Sequence, residues 1–122
     1  MNDRSTVLLV GGVADTELRP GYLGATVDGT ALGATRWTLA PSTVPTRLHR
    51  HAGHEQIGIV VSGSITMEID GVTRSFGQGD VYWVARGVNH GRMVVHGDRP
   101  AVVVDVFSPP RTDPEGSIEY VD

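Results

Sequence analysis

Residues 47–56, Arg47-Leu48-His49-Arg50-His51-Ala52-Gly53-His54-Glu55-Gln56, hold three of the chain's five histidines, followed at once by a carboxylate and an amide. Side chains of these types ligate borderline divalent cations. If the segment runs as a strand, His49 and His51 project to one side while Arg50 faces away, because side chains alternate with a period of two. Two imidazoles on one face are two legs of a tripod. Glu55 or Gln56 follows within reach, beyond a short Gly-containing loop, and His54 lies between as a further candidate. Another histidine, His90, closes the segment Gly79-Asp80-Val81-Tyr82-Trp83-Val84-Ala85-Arg86-Gly87-Val88-Asn89-His90, at the end of a second expected strand. The chain has no cysteine, so a metal would be held by imidazole, amide or carboxylate alone. Such a set suits Zn, Fe, Ni, Co or Mn without choosing among them. His96, beside an expected turn, reads as solvent-exposed.

A second constellation is Val102-Val103-Val104-Asp105-Val106-Phe107-Ser108-Pro109-Pro110-Arg111. It has the composition of a buried strand with a carboxylate in its middle. Alternation puts Val103, Asp105 and Phe107 on one face and Val102, Val104 and Val106 on the other. A buried Asp requires a partner, a hydrogen-bond network or a metal. One reading has Asp105 capping backbone amides or pairing with a core Arg. The other projects it into the metal cavity as general acid or base, with Arg111 bending back after the stiff Pro109-Pro110 corner to grip a substrate carboxylate as a fork.

The elements that must position these groups are short strands. Sixteen glycines and seven prolines punctuate β-branched runs, and no segment of ten residues carries a convincing helical period. Ile65, Met67 and Ile69 alternate with polar residues, and Asp70-Gly71 supplies the positive φ angles of a two-residue hairpin loop. That loop sets Ile69 opposite Val72 and Ile65 opposite Phe76. Further strands are expected at Ala34–Ala40, Gln56–Val61, Asp80–Val84, Arg92–Val95 and Ala101–Phe107, with a single turn over Asp15–Leu18. The fold class is therefore all-β, a sandwich or barrel with little or no helix. Trp37, Tyr82 and Trp83 are candidates to shape a pocket, although Tyr82 and Trp83 cannot both point inward from a regular strand. At 122 residues the chain accommodates one domain, 1–122, with 1–20 and 112–122 peripheral. A net charge of -4 with scattered basic residues lacks the footprint of a nucleic-acid binder. No apolar run approaches a membrane span and the amino terminus is too short in apolar residues for a signal peptide, so the expectation is a soluble, cytoplasmic protein.

The spacing as a whole resembles the two motifs of the cupin superfamily: His49-x-His51, a polar ligand, Gly63, a short hairpin, then Gly79 and His90. The resemblance spans about 34–111 and implies a small jelly-roll barrel of antiparallel strands with the metal inside. Thr43, Ala85 and Val94 depart from the family's usual Gly, Pro and Asn, which bears on loop geometry more than on the ligands. Counting back six intervening residues from Gly63 selects Gln56 over Glu55, so the implied ligands are His49, His51, Gln56 and His90. Three imidazoles and an amide leave a divalent charge uncompensated, which strengthens a Lewis acid and attracts anions.

His49-x-His51, then "HEQIG", then "DVFSPPR" is similar to the cupins of pectin and alginate breakdown that open cyclic 4,5-unsaturated uronates to keto forms. That similarity implies Asp105 as the catalytic group, with Phe107 and Arg111 lining a pocket for a small anionic substrate and no redox step. The competing expectations are a cyclase or isomerase of a natural-product pathway, a metal-dependent dioxygenase, and a ligand-binding module without turnover. Small cupins often pair through sheet edges, so a homodimer with Thr6–Val10 contributing is the expected assembly.

Overall fold

A computed structural model describes residues 15–110 and 118–122. Arg111 and the Thr6–Val10 segment lie outside these residues. The described chain forms eleven strands: β1 (Thr16–Arg19), β2 (Tyr22–Asp28), β3 (Gly33–Leu39), β4 (His49–Arg50), β5 (Glu55–Ser62), β6 (Ser64–Ile69), β7 (Val72–Gly77), β8 (Val81–Val84), β9 (His90–Val95), β10 (Ala101–Ser108) and β11 (Glu119–Tyr120). They build two antiparallel sheets. One has the order β1-β2-β3-β10-β5-β8 and the other β11-β4-β9-β6-β7. The five strands expected outside the hairpin differ from those observed by at most two residues at either end. The β6–β7 hairpin turns at Asp70 and Gly71, with φ of 51° and 80°, and pairs Ile69 with Val72 and Ile65 with Phe76 as its alternation requires.

One expectation needs correction, and one strand was not anticipated. Thr16–Arg19 is a strand rather than a helical turn, antiparallel to β2 with Thr16 opposite Gly24. β2 itself escapes sequence reading because Leu23 is exposed while Gly24 and Ala25 are buried, so its apolar residues do not alternate cleanly. Its place is fixed instead by full pairing with β3, from Tyr22 opposite Leu39 to Asp28 opposite Gly33.

The core lies between the sheets. Leu39, Val60, Tyr82, Val84 and Val103 on one meet Ile65, Met67, Phe76 and Val95 on the other. Alternation decides which side chains enter it. In β5 the residues Gln56, Gly58 and Val60 are buried while Ile57, Ile59 and Val61 face out. A close approach between β4 and β9 depends on Gly91, whose φ is 131°: a Cβ there would overlap the carbonyl oxygen of Arg47. That approach sets His49 directly opposite His90.

Ile65 and Val60 have no exposed surface, whereas Val81 is 59% exposed on the outer face. Ile65→Ala is expected to lower the unfolding free energy by about 2–5 kcal/mol. Val81→Ala should stay within about 0.5 kcal/mol of the parent. Urea unfolding of the two variants checks this, and equal losses would contradict the assigned core.

Candidate metal centre

Three imidazoles arrive from three places in the chain. His49 stands on β4, His51 follows it in the connection to β5, and His90 opens β9. The backbone amide of Gly87 donates to the His51 carbonyl at 2.9 Å, which ties that connection to the turn before β9. Ring centroids lie 4.3 Å apart for His49 and His90, and 5.0 Å apart for each of the other two pairs. One ligand atom from each ring falls within 4.8 Å of the others, so the three histidines could hold a metal ion.

The tautomers support that use. His49 Nδ1 lies 3.0 Å from the Arg47 carbonyl oxygen and His90 Nδ1 lies 3.0 Å from that of Val88. A carbonyl only accepts, so both Nδ1 atoms carry the proton and the lone pair of each neutral ring sits on Nε2. Backbone carbonyls orient metal-ligating imidazoles in this way.

The cavity beside these rings is lined by His49, His51, Gln56, His90, Asp105 and Phe107, together with Tyr22, Trp37, Met67, Tyr82 and Met93. Every sequence-selected site residue that is described therefore borders one space. Gln56 and Glu55 separate as alternation demands. Gln56 is buried in the cavity wall, whereas Glu55 faces out and accepts a hydrogen bond from Trp83 Nε1 at 2.9 Å. The same rule divides the adjacent aromatics, with Tyr82 inside and Trp83 61% exposed. His54 is buried, stacked on His51 at 4.4 Å and 5.6 Å from Phe107. It is not among the residues that line the cavity. His96 is exposed, as expected, with Nε2 3.2 Å from the Thr66 hydroxyl.

Asp105 belongs to a row of side chains that crosses the larger sheet. It is opposite Thr35 on β3 and Gly58 on β5, and Gly58 is in turn opposite Tyr82 on β8. The Tyr82 hydroxyl donates to Asp105 Oδ1 at 2.7 Å. Burial, and after it the charge and the hydrogen bond of Asp105, pushes the Tyr82 phenol well above its usual range. Asp105 thus borders the cavity beside a phenol.

Residues that the motifs did not select complete the wall. Tyr22 meets Trp37, already a pocket candidate from the sequence, edge to face at 6.2 Å across the pairing of β2 with β3. Ile118 and Tyr120 border the cavity from the carboxyl-terminal side, and β11 pairs with β4 through Tyr120 opposite His49. The Arg47 guanidinium sits 3.9 Å over the Tyr120 ring. No motif carries Tyr120; the only cue is its place in a short alternation, Ile118-Glu119-Tyr120.

This fold and this histidine cluster define a class. A family model described as a cupin domain matches residues 35–107, and the chain belongs to that family. A curated relative, the pectin degradation protein KdgF of Dickeya dadantii, is 38% identical over 65 residues, a match that covers 53% of this chain and 57% of that protein. The chain thus spans little more than half the length of that relative. The structure of KdgF from a Halomonas species superposes with a TM-score of 0.73 at 29% identity, covering 82% of this chain and 89% of the other. An RmlC-like cupin from Shewanella frigidimarina gives 0.77 at 24% identity, over 88% and 94% of the two chains, a likeness of fold.

Two outcomes follow from the geometry. His49→Ala and His90→Ala should each cut bound zinc sharply while Glu55→Gln leaves it unchanged, as read by metal analysis after dialysis; loss of metal in the Glu55 variant would misplace the centre. The raised phenol also has a sign. Tyr82 in the unfolded chain ionises near pH 10. Above that pH the unfolded state gives up a proton that the folded state keeps, so the stability is full below about pH 10 and declines as pH rises beyond it. Tyr82→Phe should flatten that alkaline decline in urea unfolding.

Proposed function

We propose that the protein is a metal-dependent, non-redox isomerase that opens a cyclic 4,5-unsaturated uronate to its open-chain keto form. The observation that carries the proposal is that Asp105 borders the same cavity as the three-histidine cluster and Gln56. The likeness to KdgF from two bacteria, one of them named for pectin degradation, points to the same substrate class.

The residues fit a divalent ion on their own chemistry. Two Nδ1 atoms are committed to carbonyls, and the inward amide of Gln56 adds a neutral oxygen ligand. In this reading His49, His51, Gln56 and His90 hold the ion, which supplies Lewis acidity at substrate oxygens when bound. The rest of the chemistry falls to the chain. Phe107 packs against the sugar ring, and Arg111, outside the described residues, takes the substrate carboxylate as a bidentate partner. Asp105 moves the proton. Loss of the anomeric hydroxyl proton makes an aldehyde at C1 as the C1–O5 bond breaks, and the enol electrons left on O5 return through C4=C5. A proton added at C4 then leaves a ketone at C5. One proton is lost from oxygen and one gained at carbon, so the composition is unchanged and no oxidant is consumed.

The C4=C5 bond is conjugated with the carboxylate and absorbs in the ultraviolet, so ring opening is followed as loss of absorbance. Metal-loaded protein is expected to accelerate that loss and His49→Ala to abolish it. Asp105→Asn should keep its metal and fold yet lose turnover by about 10²–10⁴-fold, the usual worth of a positioned acid or base. An Asp105→Asn variant that unfolds, or turns over normally, would remove Asp105 from the chemistry. Oxygen uptake accompanying turnover would replace the isomerase by a dioxygenase.

A further inference from the structure

We infer that Tyr82 is a positioning residue for Asp105, its hydroxyl passing over the bare backbone of Gly58 to fix how the carboxylate faces the cavity. This rests on the reading of Asp105 as the proton-moving group, and its grounds are geometric. Asp105, Gly58 and Tyr82 are cross-strand neighbours on β10, β5 and β8, and directly opposed residues of antiparallel strands face the same side. Two strand spacings, about 9.6 Å, separate the outer members of the row. A phenol and a carboxylate bridge that span only if nothing stands between them. Gly58 supplies the gap: a Cβ built on it would overlap the Cζ and hydroxyl end of Tyr82.

The ring is held before any ligand enters. Tyr82 is 8% exposed and packs against Phe76 at 5.3 Å with the planes tilted by 55°. Because the ring cannot swing without disturbing that packing, its hydroxyl is a fixed point, and its donation to Oδ1 restricts the rotation of the carboxylate. The raised ionisation of the phenol keeps the donor protonated throughout the neutral range. Neighbouring rows place the chemistry next to this one: Phe107 and Gln56 are directly opposite each other two residues along β10 and β5. The orientation of Asp105 is thus set relative to the Gln56 amide by the register of one sheet.

The test is Tyr82→Phe, which keeps the ring and removes only the donor. Bound metal and melting temperature should stay near those of the parent. On the unsaturated uronate kcat should fall by about tenfold to a hundredfold, as a small misplacement of a reacting group does, with KM within about twofold of the parent. Crystal structures of parent and variant should show the Asp105 carboxylate turned away from its parent orientation. A kcat within about twofold of the parent, or an unmoved Asp105, would overturn the inference. If the parent itself does not act on the uronate, the proposed reaction fails, and the crystallographic comparison still decides whether Tyr82 positions Asp105. Should Tyr82→Phe not fold, 4-fluorophenylalanine incorporated at position 82 serves in its place: it fills the volume of the hydroxyl without donating, the same loss of kcat and turn of Asp105 are expected, and an unmoved Asp105 again overturns the inference.

Discussion

The register of β10 is the constraint on which the rest depends. That strand is paired along its length on both sides, with β3 and with β5, and the inward side chains of Val103, Asp105 and Phe107 are set by those pairings. A slip of one residue would turn Val102, Val104 and Val106 into the cavity and expel the carboxylate and the phenyl ring. The slip is resisted because Val103 is buried against the other sheet while the opposite face of β10 is only partly covered. Hydrophobic burial at Val103 thus fixes the aim of a polar group two residues away. The same pairing propagates to β5, where it turns Gln56 inward and Glu55 outward.

The histidine cluster is assembled differently. β4 is two residues long, and it meets β9 at the single pairing of His49 with His90. Short pairings contribute little by themselves, so the arrangement is carried by what surrounds it. Gly91 lets the backbone of Arg47 come close, the carbonyls of Arg47 and Val88 hold two imidazoles by Nδ1, and β11 covers the other edge of β4. Each of these two rings is oriented by its own local backbone, two residues earlier in the chain.

Much of this was legible in the sequence, and what was not has physical reasons. Period-two alternation located the hairpin and five further strands because each has one face in the core. It also required Tyr82 and Trp83 to point to opposite sides without saying which turns inward, whereas the preference for Gln56 over Glu55 came from its spacing to Gly63 in the family pattern. β2 was not legible because its buried residues are small and adjacent, and β1 because an edge strand of four residues leaves almost no pattern. The motifs brought the histidines, Gln56, Asp105 and Phe107 to one cavity, but they say nothing of Tyr22 or Tyr120, whose place is set by pairing with β3 and β4. The Tyr82–Asp105 hydrogen bond was hidden for a further reason. It joins residues 23 apart in sequence through a third, Gly58, whose contribution is the absence of a side chain.

That absence bears on how the chain can change over generations. Gly58 and Tyr82 occupy one volume between them, so substitutions at the two positions are not independent. A side chain gained at Gly58 while Tyr82 remains meets the ring at once, whereas a smaller residue at Tyr82 opens room that a side chain at Gly58 could then fill. The order of the two steps therefore matters: the path that shrinks Tyr82 first avoids the steric collision, and the reverse path passes through it. A lineage that took the open path would keep the barrel and its histidines while giving up the phenol beside Asp105.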